Sequence, residues 1–263
     1  MIAQFAIRLI CGMSLAWCLT PRRQITDGFF RIQMLITLGL SVLACLAHLG
    51  GWNNSIPQMA GEPGSAWGIH THTWLCGATA IVAYVGSFTW ALGRRRIGTV
   101  CIVLITALAL VLLVQSARTA SSTSLPMSLM VVASELSTAL LLGAAMVSML
   151  LGHWYLTATG MPLAPLKRLN LVLGVATLLR IALAIIGFVL IGGLPESDHQ
   201  RLLLSLRWLA GLVSPLVVVV MVSRILEYRN TQSATGVLYV GVVLILTGEL
   251  TATLLAHELS MPV

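Results

Sequence analysis

Eight apolar runs of about twenty residues divide this chain, at roughly 2–20, 33–51, 70–92, 97–116, 127–153, 169–193, 202–223 and 236–257. A run of that length is what an α-helix needs to cross a hydrocarbon core, where backbone groups must be satisfied within the segment itself. Composition agrees: 58% of residues are hydrophobic and 9% charged, against about 25% charged in a soluble domain. The expectation is an all-α, polytopic protein of the cell (inner) membrane, with residues 1–263 forming one transmembrane helical domain. Eight spans leave almost nothing over, so a soluble catalytic domain would belong to another chain.

The breaks carry the turn residues such connections need: Pro21, the segment Gly51 to Gly68 with Pro57 and Pro63, Gly93-Arg94-Arg95-Arg96, Ser121 to Pro126, Gly160 to Pro165, Pro195 to Asp198, and Glu227 to Ser233. Only the second connection is long enough to fold over the surface. The stretch from Met1 to Thr20 lacks a basic leader and a small-residue cleavage site, and Arg22 and Arg23 follow it, so it is expected to be a first span and not a signal peptide.

The net charge of +7 reads as topology and not as affinity for nucleic acid, because Lys and Arg record which side stays in the cytoplasm. With the amino terminus outside, the inner loops hold Arg22, Arg23, Arg31, Arg94, Arg95, Arg96, Lys167, Arg168, Arg224 and Arg229, and the outer loops only Arg118 and Arg201. Both termini are therefore expected outside. Trp52, Trp67, Trp74, Trp90, Trp154, Tyr155 and Tyr228 lie near the proposed helix ends, as interfacial aromatics should.

Within this frame two acids stand out. Glu135 and Glu249 lie inside apolar runs, each about 12 Å from the outer end of its span at 1.5 Å per residue. A carboxylate in hydrocarbon costs at least ~2.5–3.5 kcal/mol, so such residues face a bundle interior, find partners and mark paths for protons, ions or substrate. Arg207 and Arg180 fall at compatible depths, whereas Arg8 is expected to snorkel outward. Arg207, Gly211 and Ser214 form one helical stripe, and Glu249, Thr253 and His257 another. Two readings stay open: the charges only pair and lock the bundle, or they line a site. The echo between Glu135-Leu-Ser-Thr-Ala-Leu-Leu and Glu249-Leu-Thr-Ala-Thr-Leu-Leu runs in opposite directions through the membrane and is expected to be chance.

Histidines cluster on the outer side: His48, His70, His72, His199 and His257, with His153 alone near the inner one. His48 with His72 or His257 could ligate a b-type haem, hydrogen-bond a quinone or simply bond to loops and water. His153 lies five turns below Glu135 on one face, so the pair either brackets a proton route or His153, Trp154 and Tyr155 anchor the helix at the interface. The five cysteines, Cys11, Cys18, Cys45, Cys76 and Cys101, sit in or beside apolar runs without CxxC or CxxCH spacing and are expected to be buried thiols. No metal site is expected. No Walker loop, GxSxG, HExxH or dinucleotide fingerprint is present, so the chain is not expected to be catalytic alone.

The last span holds Gly248-Glu249-Leu250 and then His257-Glu258-Leu259-Ser260-Met261. It resembles the final Gly-Glu-Leu helix of the membrane-anchor subunits of dimethyl-sulfoxide-reductase-type enzymes, although Thr251, Ala252 and Thr253 stand where that family carries an arginine. The resemblance implies eight spans, an outside amino terminus, and exchange of electrons between a membrane quinol and a docked iron–sulfur subunit. Related polysulfide-reductase-type anchors bind quinone near the outer face. On this reading Glu135 or Glu249 accepts quinol protons, Arg207 or Arg180 pairs the carboxylate, and His257 or His72 holds the head group. Electrons would leave through partner-chain iron–sulfur or cytochrome centres or, failing that, haem b. A proton-coupled transporter and a purely structural assembly subunit are the alternatives.

Overall fold

A computed structural model describes residues 2–50, 64–120, 125–158, 160–191 and 197–259, with side chains over 2–50, 71–117, 128–158, 160–189 and 197–256. Among the described residues the chain is helical throughout, with eight helical segments long and apolar enough to cross a membrane. The elements are α1 (Ile2–Leu19), a 3-10 turn (Arg22–Gln24), α2 (Asp27–Leu49), α3 (Gly64–Ala91), α4 (Arg95–Ala120), α5 (Leu125–Thr157), α6 (Ala164–Ile191), α7 (Asp198–Leu206), a π-helical segment (Arg207–Val213), α8 (Ser214–Glu227) and α9 (Thr231–Leu259). α7, the π segment and α8 together make the seventh span, Asp198–Glu227. Large apolar side chains such as Leu46, Ile81, Phe88, Val103, Leu171, Val189, Val220 and Val243 are exposed around the outside. A water-soluble monomer rarely shows so continuous an apolar surface; a bilayer covers it. This is a multi-pass membrane protein.

The observed helices run past the expected spans at the ends assigned to the inside. α2 starts at Asp27, α6 at Ala164, and α8 reaches Glu227. Helical hydrogen bonding does not stop where the hydrocarbon does: Asp27 sits in the first turn of α2, where an acid favours the helix N-terminus, and its carboxylate forms an ion pair with Arg95, Oδ1 to Nε 2.8 Å. Two turns use left-handed backbone: Gly93 (φ 69°) links α3 to α4 and Arg229 (φ 56°) links α8 to α9. The long connection expected over Gly51 to Gly68 lies largely outside the described residues.

Contacts arrange the spans as two four-helix rings: α1, α2, α3 and α4 in one, and α5, α6, α8 and α9 in the other, joined mainly by α1 against α5. α1 is buried at Ala3, Ala6, Ile7, Ile10, Cys11, Met13, Ala16 and Trp17. It lies at the seam and not against lipid. Gly12 and Gly143 make the seam possible, because a Cβ at Gly12 would fall 1.7 Å from the Ala139 carbonyl oxygen and one at Gly143 1.9 Å from the Gly12 carbonyl carbon. In the second ring Gly211 of the π segment meets Gly248 of α9, where a Cβ on Gly248 would lie 2.1 Å from Gly211 Cα. Small residues let helices approach to backbone contact, which in lipid is a main source of association.

Candidate functional site

The two close crossings bracket a group of charges. Gly12 is one helical turn from Arg8, Gly211 one turn from Arg207, and Gly248 adjoins Glu249. The seam therefore draws Arg8 toward α5, and the second crossing draws Arg207 and Glu249 into the same ring.

Glu135 on α5 is clasped by α1. Arg8 Nε donates to its Oε2 at 2.6 Å, Arg8 Nη2 donates to Oε1, and Gln4 Nε2 reaches Oε1 at 3.1 Å. Arg8 Nη1 extends to Thr253 Oγ1 on α9 at 3.3 Å. The expectation that Arg8 snorkels outward is corrected: its side chain is only 13% exposed and faces the seam, because a bidentate carboxylate partner is available there. Glu249 on α9 is clasped by α6. Arg180 Nε donates to Oε1 at 2.9 Å and Nη2 to Oε2 at 3.1 Å, Thr138 Oγ1 donates to Oε2 at 3.0 Å, and Arg180 Nη1 donates to Ser134 Oγ at 2.9 Å. Both acids thus face inward, one link apart, since Ser134 and Thr138 flank Glu135 on α5 while bonding the other pair.

Arg207 is different. It is 2% exposed, neither Nη1 nor Nη2 has a hydrogen-bond partner among the described residues, and Arg180 and Glu249 lie within electrostatic reach. Three arginines and two glutamates leave the group with one positive charge in excess.

Beside this group a cavity of about 330 Å³ opens between α1, α5 and α9, lined by Ile2, Gln4, Phe5, Arg8, Leu142, Leu246, Glu249, Leu250 and Thr253. Ile2, Phe5 and Leu250 are partly exposed on the lipid-facing surface. The cavity therefore has apolar walls, a lateral mouth and a polar end built from Gln4, Arg8, Glu249 and Thr253, the pattern of a small-molecule site.

The histidines are dispersed. His48 and His72 stack between α2 and α3, ring centroids 5.5 Å apart with 6° between planes, and His48 Nδ1 lies 2.7 Å from the Ala44 carbonyl oxygen. Axial haem ligation aims ring nitrogens at one iron from opposite faces of the macrocycle; stacked rings do not present that geometry, and neither residue lines the cavity. His153 is exposed at the other end of α5, edge-on to Tyr239 at 6.3 Å. Its neighbours are anchors: Trp154 Nε1 donates to Thr26 Oγ1 at 2.8 Å, and Tyr155 Oη donates to the Pro162 carbonyl. The side chains of His257 and His70 lie outside the described residues. Among the described residues no group of three or more His, Cys, Asp or Glu side chains is gathered for a metal ion.

Gln4, Ser134, Thr138 and Thr253 complete the site. Gln4 with Arg8, Ser134 with Thr138, and Glu249 with Thr253 are polar pairs at i, i+4 inside apolar runs, the signal that marks a common face. No family model, curated protein or solved structure matches the chain.

Proposed function

We propose that this chain is an integral membrane subunit of a respiratory or redox complex, and that a quinol occupies the lateral cavity between α1, α5 and α9 and passes its electrons to partner subunits carrying iron–sulfur or cytochrome centres. The observation that carries this reading is the cavity of about 330 Å³ with apolar walls, a mouth toward lipid and a hydrogen-bonding end at Gln4, Arg8, Glu249 and Thr253. A membrane quinol needs that combination: a ring that partitions from lipid, and two oxygens requiring partners.

In this reading one quinol hydroxyl donates to Glu249, whose Oε1 among the described residues accepts from Arg180 alone and so keeps a free lone pair. Gln4 and Arg8, acting as donors, hold the other ring oxygen. Oxidation releases two protons and two electrons. The protons would go first to Glu249 and then toward Glu135, and each carboxylate would release a bond to its arginine on protonation; the electrons would go to the partner's centre. Arg180 and Arg8 take the pairing role, with Arg207 acting at longer range. The outward position of both termini and of the cavity follows the arginine bias of the loops.

A purely structural role draws support from the closure of both Arg–Glu pairs, and the cavity separates the two readings. The test is gentle purification into lipid nanodiscs, assay of co-purified quinone, and labelling with a photoreactive quinone. The expected result is labelling on α1 or α9, lost when Leu246→Trp fills the cavity, together with co-elution of a pigmented partner chain. Quinone-free protein labelled no more than Leu246→Trp overturns the proposal.

A further inference from the structure

We propose that the groove between α6 and α8 binds one acyl chain of an anionic glycerophospholipid, whose phosphate sits at Lys167. The groove has a volume of about 660 Å³, and Leu171, Leu178 and Val220 along it are exposed on the lipid-facing surface. Leu171, Val175 and Leu178 form one wall, spaced i, i+4, i+7 on a single face of α6. Leu216 and Val220 of α8 form the other. Gly174 and Val219 lie between them: a Cβ at Gly174 would come within 3.2 Å of Val219 Cγ1, so glycine leaves the floor free.

The groove is set before anything enters it. Asn170, 3% exposed, donates from Nδ2 to the Val219 carbonyl at 3.0 Å and to Ser223 Oγ at 2.8 Å, which fixes the spacing of α6 and α8. A preformed apolar cleft with a few polar groups at one end is the usual form of a ligand site.

Length selects the occupant. Lys167 and Leu178 are eleven positions apart, about 16 Å of helix at 1.5 Å per residue, or about half of a ~30 Å hydrocarbon core. The groove therefore follows one leaflet, from the headgroup level where α6 begins at Ala164 and α8 ends at Glu227 toward the midplane. A lipid chain covers that distance; a compact ring does not.

Charge selects the head group. Glu227 lies at the headgroup end but is paired with Arg224, Oε2 to Nη1 3.7 Å. Lys167 lines the groove; it and the adjoining Arg168 are exposed and form no ion pair among the described residues. A lysine ammonium on its flexible stem suits phosphate as a point charge. Basic pockets between spans on the cytoplasmic side recognise anionic head groups, and this is the side the loop arginines assign to the cytoplasm.

The test is native mass spectrometry of the full chain, quinone-free, released from mild detergent after titration with phosphatidylglycerol or with phosphatidylcholine of the same acyl chains. The expected result is phosphatidylglycerol retained about fivefold more tightly, the effect of one basic residue at an anionic head group. Lys167→Gln, at an exposed position, should erase that preference. Val175→Trp, which fills the middle of the groove, should reduce phosphatidylglycerol retention; if it does not fold, Leu171→Trp takes its place. Equal retention of the two lipids by the wild type, a preference that survives Lys167→Gln, or phosphatidylglycerol retention untouched by the tryptophan overturns the proposal. Retention is read on quinone-free protein, so the occupant of the cavity between α1, α5 and α9 is judged separately.

Discussion

Removing Glu249 should destabilise the protein far more than removing the arginine that clasps it. Glu249→Gln takes away the carboxylate that bonds Arg180 and attracts Arg207, guanidiniums 4% and 2% exposed, and raises the excess charge of the group from one to two. Breaking a buried pair costs about 3–5 kcal/mol when one partner is left uncompensated, and here two are left, so the upper end applies. Arg180→Met instead removes two hydrogen bonds to Glu249 and one to Ser134 but leaves the carboxylate with Thr138 and within reach of Arg207. The group then becomes neutral, and the loss should fall to about 1–3 kcal/mol. At about 2–4 °C per kcal/mol for a chain of this size class, a difference of about 2–4 kcal/mol should make Glu249→Gln melt roughly 4–16 °C below Arg180→Met. The assay is reversible unfolding of both variants and the double variant in one mixed-micelle system, where the double variant should cost less than the two singles added. Equal losses, or a larger loss for Arg180→Met, would show that Arg207 does not compensate Glu249 and would refute the charge accounting.

Other consequences are simpler to check. Gly143→Ala places a Cβ 1.9 Å from backbone of α1, so the seam must part; a loss of about 3 kcal/mol or more is expected from the same unfolding assay, with weaker retention of Arg8 at Glu135. Tyr155→Phe deletes the bond to the Pro162 carbonyl and should cost about 1 kcal/mol, with intact quinone labelling because the residue is remote from the cavity. Arg96→Cys, in the exposed first turn of α4, should react with an impermeant maleimide only from the cytoplasmic side of sealed vesicles; reaction from the other side inverts the topology.

How much of this was legible depends on what a linear pattern encodes. Each expected span corresponds to a helix, because apolar length is a property of composition, and the ends drift by several residues because helices continue into the headgroup layer. The π segment was not legible: Arg207–Val213 carries the same kind of side chains an α-helix would, and a shift in bonding register leaves no mark on hydropathy. The burial cost of a carboxylate correctly drew attention to Glu135 and Glu249, yet cost fixes only that a partner exists. Which partner is set by helix rotation, and rotation was decided by the Gly12–Gly143 and Gly211–Gly248 crossings, which no single span reveals. That is why Arg8 seemed free to reach the surface and instead closes the seam, while Arg207, whose Gly211 stripe suited packing and a site equally well, is among the described residues the cation of the group whose terminal nitrogens have no hydrogen-bond partner. The i, i+4 polar pairs at Gln4 and Arg8 and at Ser134 and Thr138 held the missing information. Two such pairs on helices that cross at glycine must share a face with the acid between them. Polar residues one turn from an intramembrane charge mark the face it shares, while the glycine crossings decide which faces meet.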